Sequence, residues 1–177
     1  MSRIVVRAMR RKDVPAVVAM MKGLIEEIRR HGEHAPGGIS NATVLKNGFG
    51  RDRWFGVLLA TVDGKPAGYA LHHRGYEVDN ASRVLYLSDL YVREDARRLG
   101  VGRALMAAMA AECRRSGAAE ILWRVHAKNR SARAFYLGLG AADWRLGTTM
   151  WVAEKVLAKH ARSRARASGK QLDRAVC

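Results

Sequence analysis

The run from Val84 to Ser116 constrains the fold most, because three segments of different character follow one another there without a linker. Val84 to Val92 is rich in leucine and tyrosine and reads as a strand. Arg97-Arg98-Leu99-Gly100-Val101-Gly102 then turns the chain, and Val101, Leu105, Met109 and Cys113 share one face of a helix that Gly117 stops. Ile121 to Ala127 is again a strand. Strand, glycine turn, helix and strand make a right-handed crossover, which places the two strands in one mixed sheet and commits the chain to an α/β fold.

The remaining segments extend that sheet. Ile4 to Arg7 reads as a short strand, with Asp13 as the N-cap and Pro15 in the first turn of a helix whose apolar stripe is Val17, Met20, Met21, Leu24 and Ile28. Ala42 to Lys46 forms a second, short helix before Gly48 and Gly50. Trp54 to Val62 and Pro66 to His72 flank Asp63-Gly64, a strong hairpin signal, and are expected to be antiparallel neighbours. Arg74 to Ser82 reads as a polar loop, Ser131 to Leu137 as a short helix, and Gly140 to Val152 as the last β segments. The predicted order is β-α-α-β-β-β-α-β-α-β-β: a central mixed, mostly antiparallel, twisted sheet flanked by helices.

Charge divides the chain. The formal net charge is +16, and Lys155 to Arg174 concentrates seven basic residues against Asp173 alone. A field of that size attracts polyanions. We expect a folded domain over residues 1–157 and a basic extension over 158–177. Cys113 and Cys177 suggest neither a disulfide framework nor a metal pair. His31-x-x-His34 lacks a third ligand nearby, so no metal is expected. No apolar run reaches the ~18 residues of a membrane span, and Met1 to Met9 lacks the apolar core of a signal peptide. The expected location is cytoplasmic, with no membrane partner.

The strand-to-helix turn at Arg97 to Gly102 presents free amides and the positive end of a helix dipole to an anion. Arg103-Ala104 after Gly102 excludes a P-loop, and a dinucleotide fingerprint lacks its third glycine. An anion cradle for a different cofactor remains. Here the sequence resembles the GCN5-related N-acetyltransferase superfamily, whose pyrophosphate signature Q/R-x-x-G-x-G/A is matched by Arg97 to Gly102. Leu87 to Val92 is similar to that family's fourth strand, and Asn129 to Tyr136 with Gly140-Ala141 to its N-x-x-A-x-x-F-Y element. Within the superfamily the chain resembles the diamine (spermidine/spermine) acetyltransferases, on Asn47 to Gly50, Leu85 to Val92 and Phe135 to Ala141. That branch usually has Glu-Asp where Ser88-Asp89 stands.

The resemblance implies acetyl-CoA as acetyl donor and assigns roles. Amides from Leu99, Gly100, Val101, Gly102, Arg103 and Ala104 would hold the pyrophosphate, with the side chains of Arg97, Arg98 and Arg103 adding charge. Leu90, Tyr91 and Val92, at a splay or bulge of their strand, would bind the pantetheine arm and polarise the thioester. Asn129, Ala132 and Phe135 would border the arm, and Tyr136 would meet the sulfur. The attacking amine must be neutral, so a base is needed: Asp89 through water is the first candidate, with Ser88 and Tyr86 orienting the amine and His126 as an alternative. The other reading of Asp89 is a group that only binds a cationic substrate or pairs with an arginine. Tyr136 is the expected acid; with a reference value near ~10 against ~8.5 for a thiol, it acts mainly by hydrogen bonding.

The expected reaction is acetyl transfer to a primary amine of a small molecule such as a diamine or polyamine, with Glu77, Asp79 and Asp89 supplying a local acidic pocket. An N-terminal or lysine acetyltransferase is the alternative, and nucleic-acid or anionic-surface binding through the tail is the non-enzymatic one. A homodimer through the last strands is implied by the resemblance.

Overall fold

The order of the sheet follows from its turns. In the computed structural model, residues 2–142 are described apart from 31, 33, 127 and 128. Strand β1 (Ile4–Ala8) is followed by a short 3-10 turn, helix α1 (Val14–Arg30) and helix α2 (Asn41–Gly48). Strands β2 (Gly56–Val62), β3 (Lys65–Glu77) and β4 (Ser82–Val92) come next, then helix α3 (Val101–Ser116), strand β5 (Glu120–Trp123) and helix α4 (Arg130–Leu137). Five strands lie in the order β1-β2-β3-β4-β5, antiparallel except for the parallel β4–β5 pair. This matches the predicted sheet and its crossover through α3.

Local details differ from the sequence reading. The segment from Arg74 to Ser82 is mostly strand, since β3 runs to Glu77 and β4 begins at Ser82; cross-strand pairing overrides the polar composition. Strand β5 ends at Trp123, short of the expected Ala127, which lies outside the described residues. Asp13 precedes α1, but its carboxylate faces backward: it accepts from the Arg10 amide at 2.7 Å and from the Arg7 guanidinium at 2.6 and 2.9 Å. Trp54 lies outside β2 and is exposed.

Two apolar layers cover the sheet. Against α3 pack Leu58, Ala60, Ala70, Leu85 and Leu87, meeting Val101, Leu105, Met109 and Cys113 of the stripe expected there. Against α1 and α2 pack Val57, Leu59 and Tyr69, meeting Val14, Val17, Met20, Met21 and Val44. A bulge in β4 links the layers. Leu71 stands opposite Asp89 and His72 opposite Leu87, which leaves Ser88 as the extra residue. Leu85 and Leu87 face α3 before the bulge; Leu90 and Val92 face it afterwards, while Tyr91 turns to α1. The single inserted residue therefore puts Asp89 on the α1 face.

The chain divides into two units, residues 1–139 and 140–177, and only 140–142 of the second are described. The last two expected β segments, the expected boundary after residue 157 and the basic run from Lys155 to Arg174 lie outside the described residues. Among the described residues, no helix is long and apolar enough to cross a membrane and no side-chain cluster has the makings of a metal site.

Candidate active site

Strands β4 and β5 part company at Leu87 and Trp123, their last paired residues, yet β4 continues to Val92 beside β3. Among the described residues, the fork leaves one edge of β4 open. Arg93 donates its amide to the Ala67 carbonyl at 2.9 Å. Alternation along an antiparallel ladder then turns the main chain of Tyr91 toward β3 and those of Leu90 and Val92 toward the open edge. Of the three residues expected to hold a pantetheine arm, Leu90 and Val92 have their backbone groups on the edge away from β3. Tyr91 instead sends its side chain to α1, where its hydroxyl lies 2.9 Å from the place a Cβ on Gly23 would take. The Val92 carbonyl already accepts from Arg97 Nε at 3.2 Å, so its amide is the group left for a ligand.

Beyond the fork, Arg98 and Gly100 take left-handed backbone conformations, with φ of 64° and 93°. Such a turn gathers successive amides into a concavity. The first helical bond of α3 runs from Ala104 N–H to the Gly100 carbonyl at 3.0 Å, so the amides of Val101, Gly102 and Arg103 have no acceptor within the helix. That arrangement fits a pyrophosphate, and the exposed side chains of Arg98 and Arg103 flank it. Arg97 is otherwise engaged, donating to Glu27 of α1 at 2.7 Å.

The other prong of the fork carries α4. Asn129 caps it, its Oδ1 accepting from Ala132 N–H at 3.0 Å and from Ser131 Oγ at 3.1 Å. The cap starts the helix where Phe135 and Tyr136 both reach back toward the sheet. The Phe135 ring lies on Gly102, with Cζ 3.2 Å from the place a Cβ would occupy. Tyr136 packs on Trp123 with centroids 4.9 Å apart, at the point where β5 ends. Burial pushes the Tyr136 phenol up to about 12, further above a thiol than an ordinary tyrosine. A hydrogen bond to a departing sulfur suits such a group better than full proton transfer.

The α1 face of the sheet holds Asp89 and Tyr69, whereas the buried His72 stands opposite Leu87 on the α3 face near Glu112. Desolvation raises the Asp89 carboxyl, while the nearby Tyr69 hydroxyl favours its charged form. Ser88, exposed at the bulge, lies 3.1 Å from Nδ1 of His73. The His73 ring stacks on Tyr86, and the Tyr86 hydroxyl donates to Glu77 Oε1. Tyr86 and Ser88 are thus linked through His73, with Glu77 beside them, while Asp89 lies by Tyr69. His126 is exposed and lies three residues beyond the end of β5 rather than on a strand. Sequence reasoning passed over Tyr69 and His73; the available signal was a tyrosine and a His72-His73 pair in the hairpin strand.

The model of the Acetyltransferase (GNAT) family matches residues 20–141. The chain belongs to that family. Acetyl-CoA is the acetyl donor there, and the open β4 edge and amide cradle fit it. Among curated relatives, L-ornithine N5-acetyltransferase of Arabidopsis thaliana is 34% identical over 45% of this chain, a match that spans only 36% of that protein. Thialysine N-epsilon-acetyltransferase of Sus scrofa is 26% identical over 81% of this chain and 86% of its own length. The solved aminoglycoside N-acetyltransferase AAC(6')-Iy in complex with CoA is similar in fold, with a TM-score of 0.70 at 18% identity over 87% of this chain and 97% of that one.

Proposed function

We propose that this member of the GNAT family transfers the acetyl group of acetyl-CoA to the terminal primary amine of a small, diamine-like acceptor. The observation that carries the reading is the fork: one junction brings together an open backbone edge at Leu90 and Val92, a phenol at Tyr136 and, one bulge away, the half-buried Asp89. Acetyl-CoA supplies an acyl group activated as a thioester. The amides of Val101, Gly102 and Arg103 hold its phosphates, with Arg98 and Arg103 adding charge. The Leu90 and Val92 amides orient and polarise the carbonyl. Phe135 and the capped turn at Asn129 and Ala132 border the arm.

The acceptor enters on the α1 face. Glu77 and Asp89 favour its cationic form on approach, and Tyr86 and Ser88 orient it. Asp89 then takes a proton through water, a task for which its raised affinity suits it. Tyr136 donates a hydrogen bond to the leaving sulfur. A diamine or an ω-amino acid has the second polar end that a Glu77–Tyr86–His73–Ser88 chain would meet, and the two curated relatives are named for ornithine and thialysine. The same reading takes the acetyltransferase domain as residues 1–157, places the enzyme in the cytoplasm with its donor, and makes it a homodimer through the last strands, which sedimentation of the full chain would check.

The deciding assay incubates the full chain with acetyl-CoA and separate acceptors: putrescine, spermidine, ornithine, thialysine, an aminoglycoside and a lysine peptide. Thiol release is followed in each. We expect release with the diamines or ω-amino acids. Release with the peptide alone would replace this reading with a protein acetyltransferase.

A further inference from the structure

Among the described residues, the Tyr69 hydroxyl is the buried side-chain polar atom without a hydrogen bond. The residue is wholly shielded from solvent, at 0% exposure, so water at the surface does not satisfy it. A phenylalanine would fill the same space and avoid the penalty of burying an unpaired hydroxyl. Its ring packs on Tyr91, with centroids 6.0 Å apart and tilted by 36°, a contact that needs no oxygen. The hydroxyl therefore asks for a partner that packing does not supply.

Register points to that partner. Tyr69 stands opposite Tyr91 and Leu71 opposite Asp89, so Tyr69 and Asp89 are diagonal neighbours on the α1 face. The Ser88 bulge is what brings Asp89 there. The hydroxyl approaches the carboxylate closely enough to favour its charged form without reaching regular hydrogen-bond geometry. Around this pair lie Leu71 of β3 and Tyr91 of β4, and the Tyr91 hydroxyl is turned to Gly23 of α1. Burial and the nearby Asp89 charge both hold the Tyr69 proton in place, so the phenol donates without ionising.

We infer that Tyr69 is a positioning residue for Asp89: it donates a hydrogen bond to one carboxylate oxygen and leaves the other to receive the acceptor's proton through water. The inference rests on the reading of Asp89 as the proton acceptor of the reaction. No proton leaves Tyr69 in the cycle. Its bond forms as Asp89 is held in the charged state, and weakens when Asp89 becomes protonated.

The test is Tyr69→Phe in the full chain, which removes one oxygen and keeps the ring. Two measurements are made beside the wild type: the pH dependence of kcat/KM with the best acceptor, and the pH titration of the Asp89 carboxyl carbon by NMR. We expect both the acid limb of kcat/KM and the carboxyl titration to move to higher pH, with activity near pH 6 falling about tenfold and activity near pH 9 little changed. An Asp89 titration identical in the two proteins would overturn the inference. A titration that moves while the acid limb stays would uphold the pairing and overturn the role of Asp89 as base. A uniform loss at every pH with an unmoved titration would show a packing role only.

Discussion

The two faces of the sheet are built from the same strands and sheltered by helices of similar length, yet they carry different chemistry. The α3 face is mostly hydrocarbon, with Leu85, Leu87, Leu105 and Met109 closing on small alanines and one buried imidazole, His72, near Glu112. The α1 face admits a carboxylate, a stacked imidazole and three tyrosines among its apolar side chains. In the proposed reading, stability and reactivity thereby fall on opposite sides of one layer. Substitutions on the α3 face should then act on folding, and those on the α1 face on turnover.

The largest departure tests the reactive side. Asp89→Asn should lower kcat/KM about a thousandfold, within the range of lost general-base catalysis. Its effect on stability should have the opposite sign. A carboxyl whose folded affinity for protons is raised favours the fold at low pH and works against it once ionised, so at neutral pH the variant should melt about 2 °C higher. Activity kept within tenfold would remove Asp89 from the chemistry and leave it a substrate-binding group. Leu105→Ala attacks the other face: about 3 kcal/mol of stability should go, read as a lower denaturant midpoint, with KM for the amine unchanged. A markedly raised KM would show that the faces are not separable.

Tyr136→Phe comes next. It should reduce kcat about a hundredfold and leave acetyl-CoA affinity in place, since only the hydroxyl reaches the sulfur in this reading; unchanged kcat would end that role. The smallest effect lies on the edge strand of the α1 face, where Arg7 stands opposite Leu59. The Arg7 guanidinium holds the Asp13 carboxyl down to about 2, against an ordinary 3.8, so its stabilising contribution is full above about pH 4 and disappears as the pH falls toward 2. Asp13→Asn should lower stability by about 2 kcal/mol at neutral pH without touching turnover. A loss of activity there would mean that the start of α1 communicates with the site.

Much of this division was legible in the sequence because it rests on local rules. Asp63-Gly64 announced its hairpin, the stripe from Val101 to Cys113 announced the helix above the sheet, and Arg97 to Gly102 announced the anion cradle. What escaped was set by partners distant in sequence. The extension of β3 through Glu77 depends on β4 lying opposite, and the early end of β5 depends on where two strands separate. Tyr69 drew no reading because nothing local shows that its hydroxyl is stranded. Asp89 was identified by type and place, but whether it would point to the hydrocarbon or the polar side turned on Ser88.

A pleated strand has a reading frame of two, and Ser88 works in it as a frameshift. Its deletion would pass the same letters to the opposite page, delivering Asp89 and Tyr91 to the oily layer and Leu90 and Val92 to the reactive one. Point substitutions in this strand can be tolerated or compensated one at a time, whereas a one-codon deletion rewrites every position after it. Libraries meant to alter the acceptor should therefore vary residues around position 88 and keep the length of the strand fixed.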